Sequence, residues 1–313
     1  MTFFFLSCLF GSWAAVLVYW IAGLYLRESS ARAAALLVGF WPSLFLWSTQ
    51  NLKEPLTVLL LLSSIFFFVV PVSGWRRLIR LAGWGTLVLL LLLNPFIGPL
   101  FWIALVVAFC LGRRFLRKIF VGVVVILILL VSTGFAREPL QQAGQYVDQL
   151  LFKRPVLELA VTPNRFAEMI EYLRQVRTWD AKTPFFGSVR LNTMSKLIGF
   201  LPVGMGAVLM APFPWAARSS GEMLGSLEML VWYPFLFFVL KGAWRSLAGG
   251  YGQKVIFFTF LLVCGSIALL EGNMGTLFRH RAVLWPLLLF FVASGIDASV
   301  QGVHVKEQYA VSG

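Results

Sequence analysis

Residues 82–112 read AGWGTLVLLLLLNPFIGPLFWIALVVAFCLG, without one charged side chain. The apolar residues run continuously instead of alternating, and Asn94-Pro95 divides them in two. A lipid-facing strand would alternate, and an open strand in hydrocarbon would leave its amides unsatisfied, so both halves read as helices. Further runs of the length that crosses a hydrocarbon layer about 30 Å thick lie on either side. They fall at 3–26, 33–49, 55–74 and 119–136, then at 195–214, 223–240, 254–271 and 282–298. Composition agrees: 59% of residues are apolar and 12% charged, and the mean hydropathy is +0.85. A soluble domain cannot be built from such a chain. The expected fold is all-α, a polytopic transmembrane helix bundle of about eight to ten segments.

Charge placement orients the bundle. Arg27 and Arg32, the trio Arg76, Arg77 and Arg80, and the cluster Arg113, Arg114, Arg117 and Lys118 sit in short loops, which the positive-inside rule assigns to the cytoplasm. Lys241, Arg245 and Lys254 assign the 240–254 loop there too. The net charge of +13 then reflects retained loop cations, and no nucleic acid partner is expected. Residues 50–55 and 272–281 fall on the outer side, as does an insertion at 137–194. Segment 195–214, interrupted by Pro202, Pro212 and Pro214, would begin and end outside as a broken or re-entrant element; if it spans fully, the last three helices invert and Phe278-Arg279-His280-Arg281 faces the cytoplasm. The chain divides into helices over 1–136, an extracytoplasmic, partly helical insertion over 137–194, helices over 195–298, and a short disordered tail over 299–313. Within the insertion, Arg165 to Trp179 forms an amphipathic pattern with Phe166, Met169, Ile170, Leu173 and Val176 on one face. Thr162 and Pro163 supply its cap and first-turn proline. That helix would lie on the bilayer surface or over the mouth of the bundle. Cys8, Cys110 and Cys264 lack paired spacing, so neither a disulfide framework nor a metal site is expected of them.

Polar groups kept beside hydrocarbon are the first candidates for function. Four places qualify. At 47–55, WSTQNLKEP, one helix ends and a proline opens the next beside Lys53 and Glu54. Glu54 can take a proton from an acceptor hydroxyl or hold a divalent metal, and Lys53 can pair with a phosphate; alternatively both simply face water. At 271–281, EGNMGTLFRHR, Asn273 lies among glycines while Arg279, His280 and Arg281 make a compact anion-binding cluster. At 202–215 repeated proline and glycine bend an apolar element toward interfacial Trp215. Glu228 is a carboxylate inside a membrane helix, expected to be protonated, water-exposed or paired, for which an arginine of the FRHR stretch is available.

The runs FWPSLFLWSTQNLKEPLTVLLL (40–61), PFPW (212–215), SLEMLVWYPF (226–235) and GNMGTLFRHRAVLWPLLLFFVASG (272–295) together resemble membrane proteins of bacterial exopolysaccharide gene clusters. Those are similar to GT-C-type glycosyltransferases, which include the dolichyl-phosphate-mannose-dependent protein mannosyltransferases. The resemblance implies a protein of the bacterial inner membrane, working at its extracytoplasmic face. Its partners would be membrane lipid, a polyprenyl-phosphate-linked sugar donor, and a glycan or lipid acceptor. It implies Glu54 and Lys53 near the acidic site of an outer cavity, Arg279 and Arg281 near the lipid phosphate, and direct displacement at the sugar carbon. GT-C enzymes also carry an acid in a first external loop. Here the only acid before Glu54 is Glu28, on the cytoplasmic side, so that loop is expected on a helix encoded before Met1.

Two other classes fit the same pattern. A polysaccharide polymerase or ligase acting on undecaprenyl-linked glycans would use arginines of the long insertion, where Arg154, Arg165, Arg174, Arg177 and Arg190 are available. A non-catalytic transport or assembly component would show paired intramembrane charges, and only Glu228 reads as lying well inside the bilayer.

Overall fold

The computed structural model describes residues 2–49, 53–71, 78–112, 163–178, 184, 186–187, 189–217 and 220–311. Regular structure among them is helical, apart from one isolated bridge between Pro184 and Asn273. The helices are α1 (Thr2–Gly23), α2 (Glu28–Phe40), α3 (Pro42–Ser48), α4 (Glu54–Val69), α5 (Ile79–Leu93), α6 (Ile97–Gly112), α7 (Pro163–Thr178) and α8 (Met194–Met210). They continue as α9 (Ser220–Trp232), α10 (Leu236–Ala248), α11 (Tyr251–Leu270), α12 (Met274–Arg281) and α13 (Trp285–Val311). Among the described residues, three stretches are long and apolar enough to cross a membrane: Phe5–Gly23, Gly225–Ala248 and Tyr251–Leu270. The count is five if each of two bent pairs is one span, α2 with α3 at 55° and α12 with α13 at 60°. Helices α4, α5, α6 and α8 are apolar but shorter. The run at 119–136 lies outside the described residues.

The breaks have local causes. Trp41 is extended (φ −65°, ψ 124°) because the residue before a proline is pushed out of the helical region, and Pro42 then opens α3. Asn94 ends α5 and its Oδ1 accepts the amides of Phe96 and Ile97, satisfying two orphan donors at the start of α6.

The chain forms two compact units. The first comprises Met1–Phe109, Met210–Val263 and Arg279–Gly313. Its most extensive helix contact joins α10 to α13. A Cβ on Gly242 would stand 2.0 Å from the Phe291 carbonyl oxygen, and one on Gly295 would stand 2.1 Å from that of Phe238. The two backbones touch through this reciprocal pair of glycines. One end of the unit gathers cations. Arg27 and Arg245 meet the two oxygens of Asp297 at 2.7 and 2.8 Å, Ser30 donates to Oδ1, and Lys241 donates to Ser299. Tyr25, Val69 and Gly252 crowd together, and Arg80 reaches the Phe68 carbonyl, so the far end of α4 and the start of α11 belong here as well. Glu54 begins α4, 16 residues long or about 24 Å, and therefore marks the opposite end.

Two expectations are corrected in this unit. Arg245 and Lys241 do not sit in a loop, because α10 continues to Ala248 and their partners lie along α13. The tail after Asp297 is not disordered: α13 runs on to Val311.

The second unit comprises Cys110–Leu209 and Cys264–Phe278. Helix α7 starts at Pro163, as expected, but its buried face is Ala167, Ile170, Glu171 and Arg174, while Phe166 and Val176 are exposed. Ala167 and Ile170 pack on Leu197 of α8 and Leu270 of α11. Polar demand accounts for the charged residues on this buried face. Arg174 donates to the carbonyls of Ala268 and Leu269 in the last turn of α11 and to that of Phe186, where orphan carbonyls and the helix dipole favour a cation. Burial pushes its pKa down, with the charges of Glu171 and Glu271 opposing. Glu171 accepts the Leu191 amide at 2.6 Å, and Arg177 pairs with Glu271.

Candidate functional site

Glu54 and Arg279, far apart in sequence, meet in the first unit. Arg279 Nε stands 3.0 Å from Glu54 Oε1, with side-chain exposures of 36% and 5%. Nε makes no hydrogen bond along this contact, and Glu54 Oε2 is buried without a partner among the described residues. Pro55 at the second helical position lacks an amide, so it leaves no donor unsatisfied in the first turn. Lys53 directly precedes Glu54 and is exposed. His280 lies beside Arg279, Nε2 to Nη2 3.5 Å.

Phe278-Arg279-His280-Arg281 is not the loop expected from the sequence; it is the final turn of α12. Asn273 explains the start of that helix. Its Oδ1 accepts the Gly275 amide and its carbonyl accepts Leu277, so this residue caps α12. Helix spacing then turns Arg279 and Arg281 to different sides.

Arg281 is fully buried. It donates to the Ala211 carbonyl, approaches Met229 Sδ at 3.3 Å, and lies over the Trp285 ring at 5.2 Å in a cation–π contact. Its charge acts on Glu228, the buried carboxylate of α9. Glu228 Oε1 accepts from Trp41 Nε1 and from Ser43 Oγ. Trp41, Trp232 and Trp285 contact one another with ring centroids 4.5–5.8 Å apart. Short helix α12 therefore presents two arginines, each facing a carboxylate from a different helix. Glu228 and Arg281 interact through their charges, beside Trp41 and Trp285 respectively; the Glu54–Arg279 contact reaches solvent through the arginine.

Trp215 stands apart from this arrangement, 78% exposed and stacked on Phe213. Reading the sequence did not single out Trp41, Ser43, Trp232 or Trp285, although the Trp41-Pro42 break that turns the indole inward is a visible signal. Nor did it place Asp297 inside the bundle, since that residue stands at the margin of an apolar run that the helix overshoots. Of the insertion's arginines, Arg174, Arg177 and Arg190 hold the second unit together. The side chains of Arg154 and Arg165 lie outside the described ones. Among the described residues no three His, Cys, Asp or Glu side chains gather where they could hold a metal ion, so no metal step is derived from Glu54.

No family model, curated protein or solved structure matches this chain.

Proposed function

We propose that the protein is a multi-pass protein of the bacterial inner membrane that transfers a sugar from a polyprenyl-phosphate-linked donor to a glycan or lipid acceptor. It would act on the extracytoplasmic face, in cell-envelope or exopolysaccharide synthesis. The observation that carries this reading is the meeting of Glu54 and Arg279 at the end of the first unit opposite to the cation-rich end. If Arg27, Arg80, Lys241 and Arg245 mark the cytoplasm, Glu54 and Arg279 face outward. The shorter apolar helices α4, α5, α6 and α8 would then cross the membrane as well as the long spans.

In the proposed reaction the acceptor oxygen attacks the anomeric carbon, and the bond from that carbon to the phosphate oxygen breaks. The bonding electron pair leaves with the lipid phosphate, and Arg279 stabilises its charge. Glu54 takes the acceptor's proton through Oε2. Arg281 and Glu228 support the short helix that carries Arg279.

The test is incubation of purified protein with a radiolabelled polyprenyl-phosphate sugar and candidate acceptors. Wild type should consume the donor. Glu54→Gln should lower turnover by about 10²-fold or more, the usual contribution of a general base, and Arg279→Ala by a similar factor. A wild type that neither binds nor consumes the lipid donor would remove the proposal.

A further inference from the structure

The Glu54–Arg279 contact has the properties of an occupied anion site. The pair is close enough for a strong ion pair, yet its Nε–H makes no hydrogen bond, whereas a well-formed arginine–carboxylate contact is a fork with two parallel hydrogen bonds. The Arg279 side chain is 36% exposed and that of Glu54 5%, so an incoming anion reaches the arginine first. The neighbouring arginine of the same helix is buried and held by the Ala211 carbonyl, the Trp285 ring and the charge of Glu228. That anchoring keeps α12 in place while Arg279 changes partner. Lys53 is exposed on the residue preceding Glu54.

We infer that Glu54 is an internal ligand of a phosphate-binding site centred on Arg279, and that a ligand phosphate binds by displacing it. The choice of a lipid-linked phosphate as that ligand rests on the sugar-transfer reading; the displacement rests on the contact geometry. A phosphate group offers Arg279 the bidentate partner that Glu54 does not. Once displaced, Glu54 has both oxygens free of the guanidinium, so its capacity to accept a proton appears only when the phosphate is bound.

Displacement makes an unusual demand on the variants. Removing an acidic residue from a presumed reaction centre should strengthen ligand binding. The full chain, reconstituted in nanodiscs, is titrated with a radiolabelled polyprenyl phosphate against uncharged polyprenol, and separately with inorganic phosphate. Glu54→Gln and Glu54→Asp should each bind polyprenyl phosphate about fivefold more tightly than wild type, the factor a partly exposed ion pair is worth. Aspartate is included because its shorter side chain withdraws from Arg279 while keeping an acid in place, in case the amide perturbs folding. Arg279→Gln should abolish the binding. Equal or weaker binding by both Glu54 variants would overturn the inference while leaving the sugar-transfer reading standing. Tighter binding of inorganic phosphate with no preference for the lipid would support the displacement and contradict the polyprenyl reading. Failure of wild type and both variants to bind either phosphate would overturn both.

Discussion

Asp297→Ala is expected to destabilise the protein by about 3 kcal/mol, the lower part of the range for removing one partner of a buried ion pair. The Asp297 side chain is fully buried and engages Arg27 through one oxygen and Arg245 through the other, with Ser30 as a third donor. Alanine would leave two guanidinium groups without their common carboxylate in a low-dielectric junction of α2, α10 and α13. Arg27 is 41% exposed and Arg245 29%, so both can recover some hydration, which keeps the loss below the top of that range. Thermal unfolding in detergent, followed by tryptophan fluorescence, measures it. Asp297→Asn should fall between wild type and alanine, because the amide oxygen keeps an acceptor but loses the charge.

The second large effect is steric. Gly242→Ala and Gly295→Ala each place a methyl group about 2 Å from a carbonyl oxygen of the facing helix, and backbone cannot move aside as a flexible side chain can. Each is expected to cost about 3 kcal/mol or more, at or beyond the usual range for overpacking, and the double variant should not yield a monodisperse protein. Gly85→Ala in α5, where a Cβ meets nothing within 4 Å, is the control. It should be neutral or slightly stabilising, since alanine loses less backbone entropy than glycine in a helix. Size-exclusion profiles and melting temperatures separate the four variants.

Much of this fold is legible in the sequence because the solvent is lipid. A run such as residues 82–112 has one way to satisfy its amides, and Asn94-Pro95 marks where a helix must break. Glu54, Arg279, Arg281 and Glu228 could each be picked out for the cost of a charge beside hydrocarbon. An arginine of the FRHR stretch is a visible partner for Glu228, but the meeting of Glu54 with Arg279 is not, since no local pattern records which carboxylate a distant arginine will meet. The same limit hid Asp297. It closes an apolar run in the sequence, and only the path of α10 beside α13 reveals it as the meeting point of two arginines read as loop cations. In helix α7 the apolar pattern places Phe166, Ile170 and Val176 on one face, but it does not show that Arg174 turns inward to the carbonyls at the end of α11.

Everything proposed for Glu54 and Arg279 depends on their end of the bundle facing away from the cytoplasm. In a background with Cys8, Cys110 and Cys264 replaced, Lys53→Cys and Arg32→Cys place single thiols at exposed positions on the two opposite ends. A membrane-impermeant maleimide applied to intact cells should label Lys53→Cys at once and Arg32→Cys only after permeabilisation. Labelling of Arg32→Cys in intact cells, with Lys53→Cys protected, would put the Glu54–Arg279 pair in the cytoplasm and contradict the account.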